Sequence, residues 1–169
     1  MNIKKVIHGA IFVAIGILLP MIFHYWPGLG KVFLPMHIPV FVSGVFLGPL
    51  YGAIVGVLTP LLSSLITGMP PVFPMLPVMV VELGLYGLIM GYFYRRKNSN
   101  IYFSLILSMV TGRFGASIVM AVFLKLVDNP LIYIWSILVK GLPGIIAQLV
   151  LIPLLVKYLD KKGVTPLDG

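Results

Sequence analysis

The feature that most constrains this chain is a succession of apolar runs, with nearly every charge confined to the breaks between them. A hydrocarbon core about 30 Å thick takes roughly 20 apolar residues of helix to cross. Six candidate spans can be marked, at residues 6–23, 33–47, 50–67, 75–94, 101–124 and 131–155. The second is short and carries Pro35 and Pro39, and Gly48-Pro49 separates it from the third by a very tight turn. The other breaks are His24 to Gly28, the proline-rich Gly68 to Pro74, Arg95 to Asn100, and Asp128 to Pro130. Only 9% of residues are charged and 60% are hydrophobic, where a soluble domain carries about a quarter charged residues. Lipid is the solvent that fits. The expectation is an all-α integral membrane protein, with six transmembrane helices in one compact bundle that takes residues 1–169 as a single domain. The first run outlasts the core of a signal peptide and lacks a small-x-small cleavage site, so it is read as a membrane helix. With no cysteine, disulfides and thiolate metal sites are excluded.

Charge placement sets the orientation. Six spans put both termini on one side, together with Lys4, Lys5, Arg95, Arg96, Lys97, Lys157, Lys161 and Lys162. The other side would hold Lys31 and Lys125, leaving Arg113 and Lys140 within spans. Cationic loops stay cytoplasmic, so both termini are expected there, in the cell membrane. The net charge of +8 lies at segment ends, where it anchors helices to an anionic leaflet. Nucleic acid is not an expected partner.

Helices in lipid gain little from the hydrophobic effect on associating, so close packing falls to small residues. Gly52 and Gly56, followed by Thr59, Ser63 and Thr67, line one face of the third run. Gly87 and Gly91 do so on the fourth, and Ser104, Ser108, Thr111 and Gly115 on the fifth. The plain reading is tight packing within the chain.

Charges inside a bilayer cost at least about 2.5–3.5 kcal/mol each on insertion scales. Glu82, Arg113 and Lys140 are the three, and His37 lies near the outer end of the second run. At 1.5 Å per residue, Glu82 sits roughly 10 Å and Lys140 roughly 14 Å from the outer ends of their spans, with Arg113 near mid-membrane. These depths allow one shared cavity opening outward. Tyr86 is one turn from Glu82, and Ser136, Lys140, Gly144 and Gln148 form a polar stripe on the sixth run. Two readings of Glu82 and Arg113 stand side by side, a ligand site and an ion pair that only locks helices. Lys140 lacks a second intramembrane acid, and that excess charge favours a ligand with an anionic or electron-rich group, the alternatives being a neutral lysine or one that snorkels outward. His37 is a lone histidine without clustered metal ligands, so no metal is expected. Pro70, Pro71, Phe73 and Pro74 read equally as a lid or as a stiff turn. Catalytic patterns are absent: no acidic pair, nucleophile elbow, phosphate-cradling loop or metal spacing.

Three segments carry a family likeness: Met36-His37-Ile38-Pro39-Val40 leading into Gly48-Pro49-Leu50-Tyr51-Gly52-Ala53, then Glu82-Leu83-Gly84-Leu85-Tyr86-Gly87, then Gly141-Leu142-Pro143-Gly144-Ile145-Ile146-Ala147-Gln148 with Leu151-Ile152-Pro153. With its length and six runs, the chain resembles the substrate-binding S components of energy-coupling factor (ECF) vitamin transporters. The first helix also carries the AxxxA pattern of that family, Ala10 and Ala14, a pair that leaves a shallow groove for a partner helix. The resemblance implies the substrate-specific subunit of an ECF-type ABC importer in a prokaryotic plasma membrane. Such a subunit binds a water-soluble vitamin or precursor in an outward cavity and docks on a transmembrane T component driven by two cytoplasmic ATPases. It is thought to topple in the bilayer to release its ligand. ATP is then used by the partners, and the chain itself is neither an enzyme nor a holder of a cofactor. Carried over, the pocket comprises His37, Glu82, Tyr86, Arg113, Lys140 and Gln148, under a Pro70 to Pro74 lid.

The expected ligand is an aromatic heterocycle such as α-ribazole, pyridoxine or hydroxymethylpyrimidine, which Tyr and Met side chains favour. Pantothenate is the anionic alternative. Two rival classes are a proton-coupled transporter acting alone as a homo-oligomer, and a membrane-embedded lipid or isoprenoid enzyme.

Overall fold

The computed structural model describes residues 3–24, 35–123 and 130–162. All regular structure among them is helical: α1 (Ile3–His24), α2 (His37–Leu47), α3 (Pro49–Thr67), α4 (Met75–Met90), α5 (Ile101–Ile118) and α6 (Pro130–Lys161). The last turns of α4 and α5 widen into π-helical segments, Gly91–Arg96 and Val119–Phe123. Five stretches are long and apolar enough to cross a membrane: Ile3–Ile22, Pro49–Thr67, Met75–Arg96, Ile101–Val122 and Gly141–Lys161.

The second run differs from the expected span. It is helical over 11 residues, His37–Leu47, which reach only about 16 Å. Its sides explain the shortness. α2 packs against α1, α3, α4 and α6, and of its residues only Ile38 escapes full burial. A helix apolar all round is one enclosed by protein. Within protein a segment is released from the need to match lipid thickness. By contrast α6 runs for 32 residues, about 48 Å, and fits a bilayer at a tilt. Of the breaks expected at His24 to Gly28 and Asp128 to Pro130, residues 25–28 and 128–129 lie outside the described residues, as do Lys31 and Lys125.

Gly48 alone joins α2 to α3. Its φ of 89° belongs to a region that side chains rarely adopt, and Pro49 then starts α3 with a pre-set φ. Gly68 closes α3 in the left-handed conformation, donating its N–H to Ser64 O at 3.0 Å. At the start of α5, Asn100 accepts from Tyr102 N at 2.9 Å.

The small-residue faces meet one another. A Cβ on Gly87 would overlap the Gly52 carbonyl, and one on Gly56 would overlap the Leu83 carbonyl. α3 and α4 thus cross at backbone contact, as glycine pairs permit. The hydroxyls of Thr59 and Ser108 donate to carbonyls of their own helices, Val55 O at 2.6 Å and Ser104 O at 2.6 Å. They add no unmet donor to the buried face.

One end of the bundle is strongly basic. Arg95 Nη1 donates to Phe46 O at 3.1 Å and Val45 O at 3.4 Å, pinning the end of α2 to the end of α4. Lys5 Nζ lies 5.8 Å from the Tyr51 ring centroid, which places the start of α1 beside the start of α3. Leu155 and Leu159 of α6 line one cavity with His8 and Leu47, so the end of α6 is there too.

Candidate functional site

Towards the other end, side chains from α2, α4 and α5 converge on one oxygen, Glu82 Oε1. Tyr86 Oη donates to it at 2.6 Å. Arg113 Nε lies 3.2 Å away and His37 Nε2 3.9 Å away. Glu82 and Arg113 are 6% and 7% exposed, so this is a buried ion pair. Roughly 20 Å of helix rise separates Glu82 from Arg95 at the basic end.

Local rules build the cluster. Long side chains on a helix lean towards its N-terminus, so Tyr86 reaches back one turn to Glu82. Its ring stacks on Phe41, with centroids 4.7 Å apart and planes 20° apart. His37, one turn before Phe41 on α2, sits 5.3 Å from the same ring. On the opposite side Gly112 clears the space, since a Cβ there would overlap the Tyr86 ring. The next residue, Arg113, then enters beside the carboxylate.

Hydrogen-bond donors are left over. Arg113 Nε is close enough to Glu82 for ionic attraction, yet its N–H is not aimed for a hydrogen bond. Among the described residues, Gln148 Nε2 is likewise buried without an acceptor. Unmet buried donors are costly and call for an explanation. Arg113 Nη2 lies 3.4 Å from where a Gly141 Cβ would stand, so the guanidinium abuts the backbone of α6. Gln148 is two turns further along that face, between the partly buried Ile145 and the buried Ile152.

Of the expected site residues, His37, Glu82, Tyr86 and Arg113 are therefore gathered. Lys140 precedes Gly141 in α6, and its side chain lies outside the described residues. Gln148 is buried deeper along α6. Pro70 is buried, Pro71 and Phe73 are exposed, and Pro74 is half-buried. The proline segment is tied down at its start, where Ser63 Oγ donates to Met69 O and Ser64 Oγ to Pro70 O, both at 2.7 Å. Ala10 and Ala14 lie on the exposed face of α1. Phe41 and Gly112 escaped the sequence reading. Phe41 is one turn from His37 and Gly112 adjoins Arg113, so proximity to the ionisable residues was the available signal.

The helical frame agrees with the family comparison. The sequence model described as ECF transporter, substrate-specific component, matches residues 4–156. The chain belongs to this family. It is a substrate-specific subunit of an ECF transporter, a multi-pass membrane protein that binds cargo and leaves ATP hydrolysis to partner subunits. No curated protein and no solved structure matches it.

Proposed function

We propose that this S component captures a water-soluble vitamin or vitamin precursor at the cluster of His37, Glu82, Tyr86 and Arg113. Lys140 and Gln148 contribute from α6, and Pro70 to Pro74 cover the entrance. The convergence of Tyr86, His37 and Arg113 on Glu82 Oε1, with Arg113 Nε buried and without a hydrogen-bond acceptor, carries this reading. The chain's tyrosine and methionine side chains favour an aromatic heterocycle over an aliphatic carboxylate. α-Ribazole, pyridoxine and hydroxymethylpyrimidine have such rings, and pantothenate is the anionic counter-case.

In this reading both termini are cytoplasmic, with Lys4, Lys5, Arg95, Arg96 and Lys97 facing the anionic leaflet. The binding cluster then lies towards the outer face. The exposed Ala10 and Ala14 dock on the T component, where small side chains permit close helix approach. Two ATPases drive the assembled importer.

A thermal-shift screen of the purified chain against these four compounds tests the proposal. A ligand selective for the folded state, at about 100 times its Kd, adds about 2.7 kcal/mol of stability. The expected result is a saturable rise with one compound, weakened by Tyr86→Phe and by Gln148→Leu. Lys140→Ala weakens it most if that compound is anionic. A rise that persists unchanged in all three variants would place the ligand elsewhere and end the proposal.

A further inference from the structure

On the flank of the bundle, α1, α2 and the last turns of α6 enclose a cavity of about 310 Å³. Phe12, Ile15, Val42, Phe46, Leu155 and Leu159 help line it, and His8 is the polar exception in the described lining. Ile15 and Leu155 are 39% and 37% exposed, so the slot opens sideways, where a membrane helix meets lipid. It is separate from the Glu82 cluster and plays no part in the proposed capture of ligand.

Both walls end in a lysine. His8, Phe12, Ile15 and Leu19 recur at helical spacing along one face of α1. One turn earlier that face reaches Lys4, whose carbonyl accepts from His8 Nδ1 at 2.7 Å. On α6, Leu155 and Leu159 lead one turn on to the exposed Lys162, whose ammonium lies 5.9 Å from the Tyr158 ring centroid. An apolar slot therefore runs up to two cations at the basic end of the bundle.

We propose that this flank is a binding site for one anionic diacyl phospholipid, with an acyl chain in the slot and its phosphate between Lys4 and Lys162. Charge complementarity favours an anionic head group at basic residues on the membrane surface. The size of the slot suits an extended hydrocarbon chain; a helix with its side chains is about 10 Å across and needs far more room. At 100° per residue, the slot face of α1 lies about 150° around the axis from Ala10 and Ala14. A lipid there leaves the alanine face clear for the partner subunit.

The test compares retention of phosphatidylglycerol and phosphatidylcholine with identical acyl chains, by native mass spectrometry of the detergent-purified full chain. The expected result is one phosphatidylglycerol per chain, preferred by roughly tenfold over phosphatidylcholine. The Lys4→Gln, Lys162→Gln double variant should lose that preference while binding phosphatidylcholine as before. Ile15→Trp, at the rim, should lower retention of both lipids, and Leu155→Trp serves the same purpose from the opposite wall. Excess soluble glycerol phosphate should displace nothing. Equal retention of the two lipids, a lysine variant that keeps the preference, or displacement by glycerol phosphate would each overturn the assignment. So would crosslinks from Ile15 to a T-component helix in the assembled transporter, which would give the slot to the partner.

Discussion

Arg113 Nε lies 3.2 Å from Glu82 Oε1, and this contact joins α5 to α4 where both side chains are shielded from lipid and water. Attraction in such a place only offsets the cost of stripping water from two charges. The ion pair does not by itself account for the leftover N–H of Arg113 or for the buried amide of Gln148. Locking and ligand capture are therefore compatible roles for the same residues, and mutants can separate them.

Removing one partner should be worse than removing both. Glu82→Gln leaves a buried guanidinium without its counter-charge and should destabilise the chain by about 3–5 kcal/mol. Combining Glu82→Gln with Arg113→Met should recover much of that loss. Thermal melts of the wild type, both single variants and the double variant complete the cycle. Simple additivity would show that the two residues do not act as a unit.

The α3–α4 crossing should tolerate alanine at one glycine and reject it at another. A Cβ on Gly87 meets the backbone of Gly52, which cannot swing away. Gly87→Ala should cost about 1–3 kcal/mol or more by overpacking. At Gly84 the added carbon meets only the side-chain carbon Val57 Cγ2, at 3.1 Å. There the gain in helix propensity, up to about 1 kcal/mol, should offset the crowding. A clear drop in melting temperature for Gly87→Ala beside little change for Gly84→Ala would bear this out, and equal losses would refute it.

Arg95 should matter through the carbonyls that it caps. Arg95→Met leaves Phe46 O and Val45 O without their charged donor. Hydrogen bonds to charged groups contribute about 1.5–3 kcal/mol. Partial exposure puts the expected loss at the low end. Hydrogen exchange at the last turn of α2 should rise in step with the loss of stability; unchanged protection there would rule out the capping role.

Docking and binding should separate at Ala10. Ala10→Trp fills the shallow face of α1 proposed to meet the T component. Uptake by the assembled importer should then fall to background while the isolated chain binds ligand as tightly as before. Loss of binding in the isolated chain would remove Ala10 from the docking surface.

Membrane character, most of the breaks between helices, and the buried Glu82 and Arg113 were legible from the chain itself. Gly48-Pro49 marked the turn before α3, and Gly52, Gly56 and Gly87 marked the faces that meet. The shortness of α2 was not legible, because an apolar run reads alike whether lipid or protein surrounds it. Nor was Phe41, since an aromatic residue on an apolar helix carries no sign of what it stacks on.

Local chemistry thus decided which segments leave water and which end of the bundle is basic, because backbone hydrogen bonding and hydropathy act residue by residue. Only tertiary structure decided that α2 is enclosed, that Tyr86 lies between Phe41 and Gly112, and that His37 and Arg113 face the same carboxylate oxygen. Those relations depend on how far helices rotate and slide against one another, and backbone contact at the glycines sets that register between α3 and α4.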